Sequence, residues 1–406
     1  MWDNFEVLQE EEVFNDTFSI NTVFRIKSGS GAGTQLDPRL CATFSNKRIA
    51  IAIDTTLVIF ENEAFSDGKS LNFDAKIDCL TISSDGSLII CGLSNGSICG
   101  VFFKGMPIFS IEINESDVQS DGKTFVGVVD FNSEYFFCCT NGKVYKVHNI
   151  ANDEISKTMA AAISGDESAN LNETLANNVL LDIVIAKRTQ VTIATYSATL
   201  YEGELLHVFG GDDYIFLRND RIDHIVSTQK TFVKQLQSNP MIVLFTDREG
   251  HLLELCPYTN IFVPLLNTSN IKEFIMTESN DNGIELLALV EDGQNLCLKN
   301  FEYPSMECKF TLPISDKIWL FTQPKSAANI FYLCGIQASL LSSHRIDLRM
   351  VSESQPEKRL QTLLAKGLID EAEEFAKKFN LNLQPVYESK AKMILQDIGQ
   401  IDRVSS

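Results

Sequence analysis

The 406-residue sequence predicts a mainly β protein, a divergent seven-bladed β-propeller followed by the start of an α-solenoid. Three observations lead there. Hairpin signals recur every forty to fifty residues or so, further strand-like runs separate consecutive hairpins, and helical periodicity replaces the strand pattern near residue 351. The expected division is a propeller over 1–350 and helical hairpins over 351–406, the opening of a solenoid cut short at its C-terminal side.

The hairpins come first. LIICGLSNGSICGVFF around Gly96, FFCCTNGKVYKV around Gly142, IVLFTDREGHLLEL around Gly250 and LLALVEDGQNLCL around Gly293 each flank a turn with apolar or β-branched runs. The turns are rich in Asn, Asp and Gly, which tolerate the positive φ that tight hairpins need. Weaker members turn near Asp54 (RIAIAIDTTLVIFE), Ala198 (QVTIATYSATLYEG) and Gln337 (IFYLCGIQASLLS), giving successive spacings of 42, 46, 56, 52, 43 and 44. Each later hairpin is preceded by a strand-like run: KIDCLTISSD, KTFVGVVDF, NVLLDIVIA, RIDHIVSTQ, IKEFIMTE and KIWLFTQP. PIFSIEI and NIFVPLL read as fourth strands. A four-strand unit at this period is the mark of a propeller, and seven units close a ring with little exposed edge. The Gly-His and Trp-Asp signatures of standard WD repeats are absent from the blades.

Two blades read as stretched by insertions, the longer being the polar, acidic segment 151–178, expected as a mobile or partly helical excursion. KSGSGAGTQLD, with Gly29, Gly31 and Gly33, runs into a strand and not a helix, so it reads as a flexible loop and not a phosphate cradle. The N-terminal MWDNFEVL either adds a strand to the ring closure or lies against the helical hairpin.

Charge and chemistry narrow the function. The net charge is −20, and the last 56 residues hold 8 basic and 9 acidic side chains, so the acidity sits on the propeller. Such a surface repels phosphate backbones and anionic bilayers, which argues against direct nucleic-acid binding and favours solubility or a basic protein partner. The first 16 residues carry six acids and no base, unlike a secretory signal, and no apolar run is long enough to span a bilayer. The ten cysteines form no C-x-x-C pair and no zinc spacing, so they read as mostly buried, reduced thiols of an intracellular protein. A two-residue turn at Asn95-Gly96 would pair 91 with 100 and put Cys91 and Cys99 on opposite faces, which predicts no bridge. The five histidines (His148, His207, His224, His251 and His344) share no motif, and there is no G-x-S-x-G elbow. No catalytic, cofactor-binding or metal residue is assigned, and no cofactor is expected.

The helical end begins at Ser354-Gln355-Pro356-Glu357, a capping box with Pro in the first turn. Leu360, Leu363 and Leu364 form an i, i+3, i+4 stripe and Gly367 supplies a turn. Ile369, Ala372, Phe375, Ala376 and Phe379 form a second stripe that Asn380 ends. Pro385 opens a third helix, in which Tyr387, Ala391, Ile394, Leu395 and Ile398 share a face. Antiparallel pairs with small residues at the contact are the unit of an α-solenoid.

The stretch PEKRLQTLLAKGLIDEAEEFAKKFNLNLQPVYESKAKMILQ closely resembles the segment that follows the propeller in the Rod (Rough deal) family of kinetochore proteins. There a P-E-x-R-L start, an A-E-x-F-A helix and a V-Y-x-x-K helix keep the same order and spacing, and the opening Met1-Trp2 is also similar. The resemblance implies a non-catalytic subunit of the Rod–Zwilch–ZW10 complex. It implies action at unattached kinetochores and on the spindle in mitosis, dynein recruitment through Spindly, and support of the spindle assembly checkpoint. It carries over no partner-binding residue, no nucleic-acid contact and no membrane insertion. Two other readings compete: the propeller of an NBAS/Sec39-like tether in endoplasmic reticulum–Golgi traffic, and a propeller enzyme. Clustered, strongly perturbed acids or histidines in the central channel would favour the enzyme.

Overall fold

The computed structural model describes most of the chain; 14–17, 29–37, 62–66, 151–178, 322–329, 337–344, 354–359 and 394–406, with Met1 and shorter stretches of one to five residues, lie outside the described residues. The expectations for the glycine loop, the acidic insertion, the Gln337 turn, the capping box, His344, Phe379 to Asn380 and Ile394 to Ile398 fall there.

The chain divides into two compact units: Met1–Leu8, Val23–Ala327 and Phe331–Leu348 form one, and Gln9–Thr22, Ala328–Ile330 and Arg349–Ser406 the other. The first is a seven-bladed β-propeller. The N-terminal strands β1 (Trp2–Val13) and β2 (Phe18–Ser28) are set aside for the last blade. Blade one is β3 (Leu40–Ser45), β4 (Arg48–Ile53), β5 (Thr56–Glu61) and β6 (Asp67–Asn72). Blade two is β7 (Ile77–Ile82), β8 (Leu88–Leu93), β9 (Ser97–Phe102) and β10 (Met106–Glu112). Blade three is β11 (Phe125–Phe131), β12 (Glu134–Cys139), β13 (Val144–His148) and β14 (Leu180–Ile185). Blade four is β15 (Ile193–Tyr201), β16 (Glu204–Gly211), β17 (Tyr214–Arg218) and β18 (Asp223–Ser227). Blade five is β19 (Gln235–Ser238), β20 (Val243–Thr246), β21 (Leu252–Cys256) and β22 (Ile261–Pro264). Blade six is β23 (Ile271–Glu278), β24 (Ile284–Asp292), β25 (Asn295–Tyr303) and β26 (Glu307–Ile314).

The closing sheet has the order β1-β2-β29-β28-β27, with β27 at Lys317–Trp319, β28 at Ile330–Ile336 and β29 at Arg345–Glu353. The N-terminal segment therefore adds strands to the ring closure. The first strands of blades one to six pack on one another in sequence, so they line the axis. The ring closes where Phe24 of β2 stacks on Phe60 of β5, ring centroids 3.9 Å apart. Arg25 of β2 also donates to Asp347 of β29 across 2.9 Å.

Flat blades stacked face to face bury both faces of their middle strands. That explains why β8 (LIICGL) and β9 (SICGVF) are continuous apolar runs without alternation: all twelve residues are buried. The core is accordingly divided into clusters between neighbouring blades. Leu57, Ile59, Leu80 and Ile89 meet between blades one and two, and Ile90, Ile98, Phe125 and Phe137 between two and three.

Several turns differ from the sequence expectation. At Gly96, Gly142 and Gly250 the loops hold three residues, with Gly at φ +88°, +83° and +83°. In each, the glycine N–H donates to the carbonyl three residues back, at Leu93, Cys139 and Asp247. This is a type I turn closed by a left-handed glycine, and it moves the register by one. Cys91 is therefore directly opposite Cys99, on the same face, and both thiols are free.

Ala198 is not a turn. It pairs with His207 in mid-strand, and the chain reverses between Tyr201 and Glu204. The turn equivalent to the others in blade four lies between Gly211 and Tyr214. With that correction one interval is stretched, the one containing 151–178, and not two. NVLLDIVIA and RIDHIVSTQ supply β14 and β18, the outermost strands of their blades and not the strands that open the next.

Gly250 shows how tightly a turn meets the next blade: Ile271 donates its N–H to the Gly250 carbonyl at 3.0 Å. A Cβ at Gly250 would lie 2.7 Å from the Ile271 nitrogen. Gly250→Ala combines left-handed strain with a backbone collision, for an expected loss of about 2–3 kcal/mol in urea unfolding.

In the second unit, α1 (Ile369–Lys378) and helical residues 384–393 pack together. Leu360, Leu363, Ile369, Ala372, Phe375 and Ala376, from the predicted stripes of the first two helices, form their core together with Val386. Gly367, at φ +74°, makes the turn: its N–H donates to Leu364, and Leu368 donates to Leu363. The third helix buries Val386, whereas Tyr387 and Ala391 are exposed, so its inward face lies one position from the predicted one.

Candidate protein-docking surface

His148 of β13 sits 2.8 Å from Asp182 of β14 at an outer edge. His207 of β16 is buried against the Tyr196 hydroxyl at 2.9 Å, and His251 pairs with Asp247 inside the Gly250 turn at 2.7 Å. His224 belongs to β18. The described histidines are thus distributed over blades three, four and five, with His207 and His224 on different strands of blade four. Burial raises the Cys79, Cys91 and Cys138 thiols well above their ordinary range and pushes Cys41 and Cys139 up to about 12, which keeps them out of the nucleophilic thiolate form. Among the described residues no group of three or more His, Cys, Asp or Glu is placed to hold a metal ion.

Two buried acids, Asp78 and Asp117, which carried no signal in the hairpin pattern, join neighbouring blades. Asp78 of β7 is fully buried and accepts from Arg39, just before β3, on one oxygen. Its other oxygen accepts the N–H groups of Thr124 and Phe125 at 2.7 and 3.0 Å, so one carboxylate ties blades one, two and three. Burial raises its pKa, with the Phe125 N–H and Arg39 opposing.

Asp117, in the short 3-10 turn Glu115–Asp117, accepts from Asn141 (2.9 Å) and Arg188 (2.8 Å) on one oxygen and from Lys143 (2.7 Å) and the Tyr145 hydroxyl (2.5 Å) on the other. Burial alone would raise its pKa, but the bonds from Lys143, Tyr145 and Arg188 outweigh it and hold the carboxyl below its usual range. Asp347 of β29 takes both Arg25 and Arg345 at the ring closure. In each case the acid's acceptor capacity is taken up by the frame.

Glu273 of β23 is the most perturbed acid on an innermost strand. Burial raises it to about 7, against a hydrogen bond from the Leu320 N–H and the charge of Lys234. It stands alone and is not part of a cluster, and Leu320 lies just beyond β27, so its bond links blades six and seven. A carboxyl raised in the fold holds its proton longer than in the unfolded chain, so stability falls as pH rises from about 4.5 to about 7. Glu273→Gln keeps the acceptor and removes that slope; at pH 8 it is expected to gain about 2–3 kcal/mol over the native protein by chemical denaturation, with no gain at pH 4.

Most of the exposed large apolar side chains of the propeller are on outermost strands, Met106 of β10, Leu180, Ile183 and Val184 of β14, and Ile261 and Val263 of β22, with Leu200 of β15 the exception among the described residues. No helix among the described residues is long and apolar enough to cross a membrane.

Comparison with known proteins agrees with this architecture. Among solved structures, the chain is similar to the WD40 repeats of RRP9 (TM-score 0.55, 10% identity, covering 86% of this chain and 100% of that one) and to a chain of the mitotic checkpoint complex (TM-score 0.52, 13% identity, 84% and 93%). At such identities these likenesses concern the fold alone.

By sequence it is 23% identical over 452 residues to kinetochore-associated protein 1 of Homo sapiens, covering 98% of this chain and 20% of the relative, and 23% identical over 452 residues to that of Mus musculus, covering 99% and 20%. It is 26% identical over 139 residues to kinetochore-associated protein rod-1 of Caenorhabditis elegans, covering 32% of this chain and 7% of that protein. The chain thus spans about a fifth of the length of the first two relatives. The family model for the first armadillo-repeat domain of KNTC1 matches residues 362–405, and the model for the N-terminal region of Rod matches residues 132–356. Since that region is more than half of the chain and carries strands β12 to β29, the protein belongs to the Rod family.

Proposed function

We propose that this chain is a non-catalytic docking scaffold, the propeller of a Rod-like subunit that works at the kinetochore in mitosis. The observation that carries the reading is the Rod N-terminal match over 132–356, on a propeller whose buried acids are engaged in holding blades together. In this reading the propeller, residues 1–350, packs against Zwilch in a complex with ZW10 and supports Spindly, and through it dynein, at unattached kinetochores, so sustaining the checkpoint. The helices that follow β29 begin an α-solenoid, supported by the armadillo-repeat match and by the exposed Leu368, Tyr387 and Met393. The acidic surface favours basic protein partners over nucleic acid or bilayer.

The test is co-precipitation of the purified chain with purified Zwilch, and in parallel with the subunits of an NBAS/Sec39-like tether, at low and moderate salt. Retention of Zwilch alone is expected. Retention of tether subunits alone would move the protein to membrane traffic, and retention of neither would remove the propeller from the docking role.

A further inference from the structure

Acidic residues outnumber basic ones by 54 to 34 in this chain, so a lysine without an acid beside it is unexpected. Among the described residues of the propeller, two lysines make no hydrogen bond, ion pair or ring contact: Lys123, two residues before β11, and Lys234, directly before β19. Both side chains are exposed. Partial loss of hydration, and then the charge of Lys272 on β23, lower the pKa of Lys234, while Glu273 opposes them. Two like charges are thus held near each other, and the acid that faces them is itself raised to about 7. The carboxylate bound to Lys272 is Glu291, at 2.6 Å.

Both lysines occupy the same place in their blades. Each innermost strand begins beside the turn of the preceding blade: the N–H groups of Ile77, Ile193, Val233 and Ile271 donate to the carbonyls of Asp54, Thr140, Gly211 and Gly250. The innermost strands therefore start at one end of the ring, around one mouth of its axis. A Lys or Arg stands within two residues of that start in every blade but the fourth: Arg39, Lys76, Lys123, Lys234, Lys272 and Lys317. Four of these are engaged, Arg39 with Asp78, Lys76 with Asp54, Lys272 with Glu291, and Lys317 over the Trp319 ring. Lys123 and Lys234 remain, on either side of blade four, whose innermost strand is entered through the uncharged Thr192.

Sheets stacked face to face lie about 10 Å apart, so two blades on the gap is no more than about 20 Å, the reach of about six extended residues. A single inorganic anion is too small to bridge it, whereas an extended peptide with carboxylates toward both ends is long enough. Asp54, Asp212, Glu249 and Glu291 stand on turns and strand ends at the same end of the ring. A nucleic acid, charged at every nucleotide, would meet these acids wherever it left the two lysines; a peptide can carry its charges only where the lysines are. We propose that this mouth of the propeller, between the starts of β11 and β19, binds an acidic, extended segment of a partner protein through Lys123 and Lys234. The contact reverses, at one place, the preference for basic partners that the overall acidity sets, and it is separate from any contact made by the outermost strands.

The experiment uses the whole chain and a fluorescein-labelled twelve-residue peptide of Glu pairs spaced by Gly and Ser, read by fluorescence anisotropy at low salt. The controls are the same peptide with Gln in place of Glu, and an oligothymidylate of twelve nucleotides. The native protein is expected to bind the Glu peptide at least tenfold more tightly than either control. Lys123→Gln and Lys234→Gln are each expected to weaken that binding about threefold, and the two together about tenfold, since the sites are far enough apart to add. Neither lysine holds another group of the frame, so the urea midpoints of these variants should match the native one. Lys123→Arg with Lys234→Arg keeps both charges and is expected to bind as the native protein does, as is Lys392→Gln, at an exposed lysine of the second unit. Equal binding of the Glu and Gln peptides, tighter binding of the oligothymidylate, or native-like binding by the double Gln variant would overturn the proposal. Loss of binding in the double Arg variant would do the same.

Discussion

Asp78→Ala is expected to cost about 3–5 kcal/mol of unfolding free energy, because it leaves a buried arginine contact and two buried N–H groups without an acceptor. The geometry makes a finer prediction for Asp78→Asn. Both N–H bonds, from Thr124 and Phe125, end on the same oxygen, and Arg39 takes the other. An amide can put its carbonyl where the two N–H groups converge and its NH2 toward Arg39, a side chain 25% exposed that can turn to water. Asp78→Asn should therefore cost only about 1 kcal/mol. The raised pKa agrees: burial makes the charge itself unfavourable, so what the fold needs from Asp78 is the acceptor and not the charge. A loss as large for Asn as for Ala would refute this division.

Asp117 should behave in the opposite way. Its four donors are split, Asn141 and Arg188 on one oxygen and Lys143 and Tyr145 on the other, so an amide NH2 meets donors in either orientation. Asp117→Asn and Asp117→Ala are both expected to cost about 3 kcal/mol. The pH dependence has its own sign. A carboxyl held below its ordinary value contributes stability that is complete well above the unfolded value of 3.8 and is lost as pH falls through the folded one. The native protein should therefore lose part of its advantage over Asp117→Asn in acid. Urea midpoints at pH 7 and at pH 3 measure both effects, and an Asn variant as stable as the native protein at pH 7 would contradict the account.

The blades were legible because a hairpin turn constrains local residues: Asp54, Gly96, Gly142, Gly250 and Gly293 all adopt positive φ where the Asn, Asp and Gly clusters predict it. The turn is not at Ala198 because β15 is a nine-residue strand whose Tyr196-Ser197-Ala198-Thr199 stretch reads equally as chain reversal or continuation until the partner strand is known. The Cys91–Cys99 register turned on one residue of loop length, which Asn-Gly alone leaves undecided. NVLLDIVIA and RIDHIVSTQ read as strands correctly, but a strand's rank within a blade is a tertiary fact. Likewise Val386, and not Tyr387, faces inward because the packing of the neighbouring helices chooses the face. The inter-blade acids gave little signal: Asp117 looks like any loop acid, and only Asp78, enclosed in IDCLTI, hints at burial. The Rod resemblance was legible in the helical segment, where side-chain spacing is dense, and in the blades it became so only through comparison across the chain.

In the proposed reading the propeller acts through its outward surface. Hydrogen–deuterium exchange of the chain with and without purified Zwilch tests it most directly. Slower exchange on outermost strands and their connections, with β3, β7, β11, β15, β19 and β23 unchanged, is the predicted result. Protection confined to residues 360–393, or to the innermost strands, would contradict it.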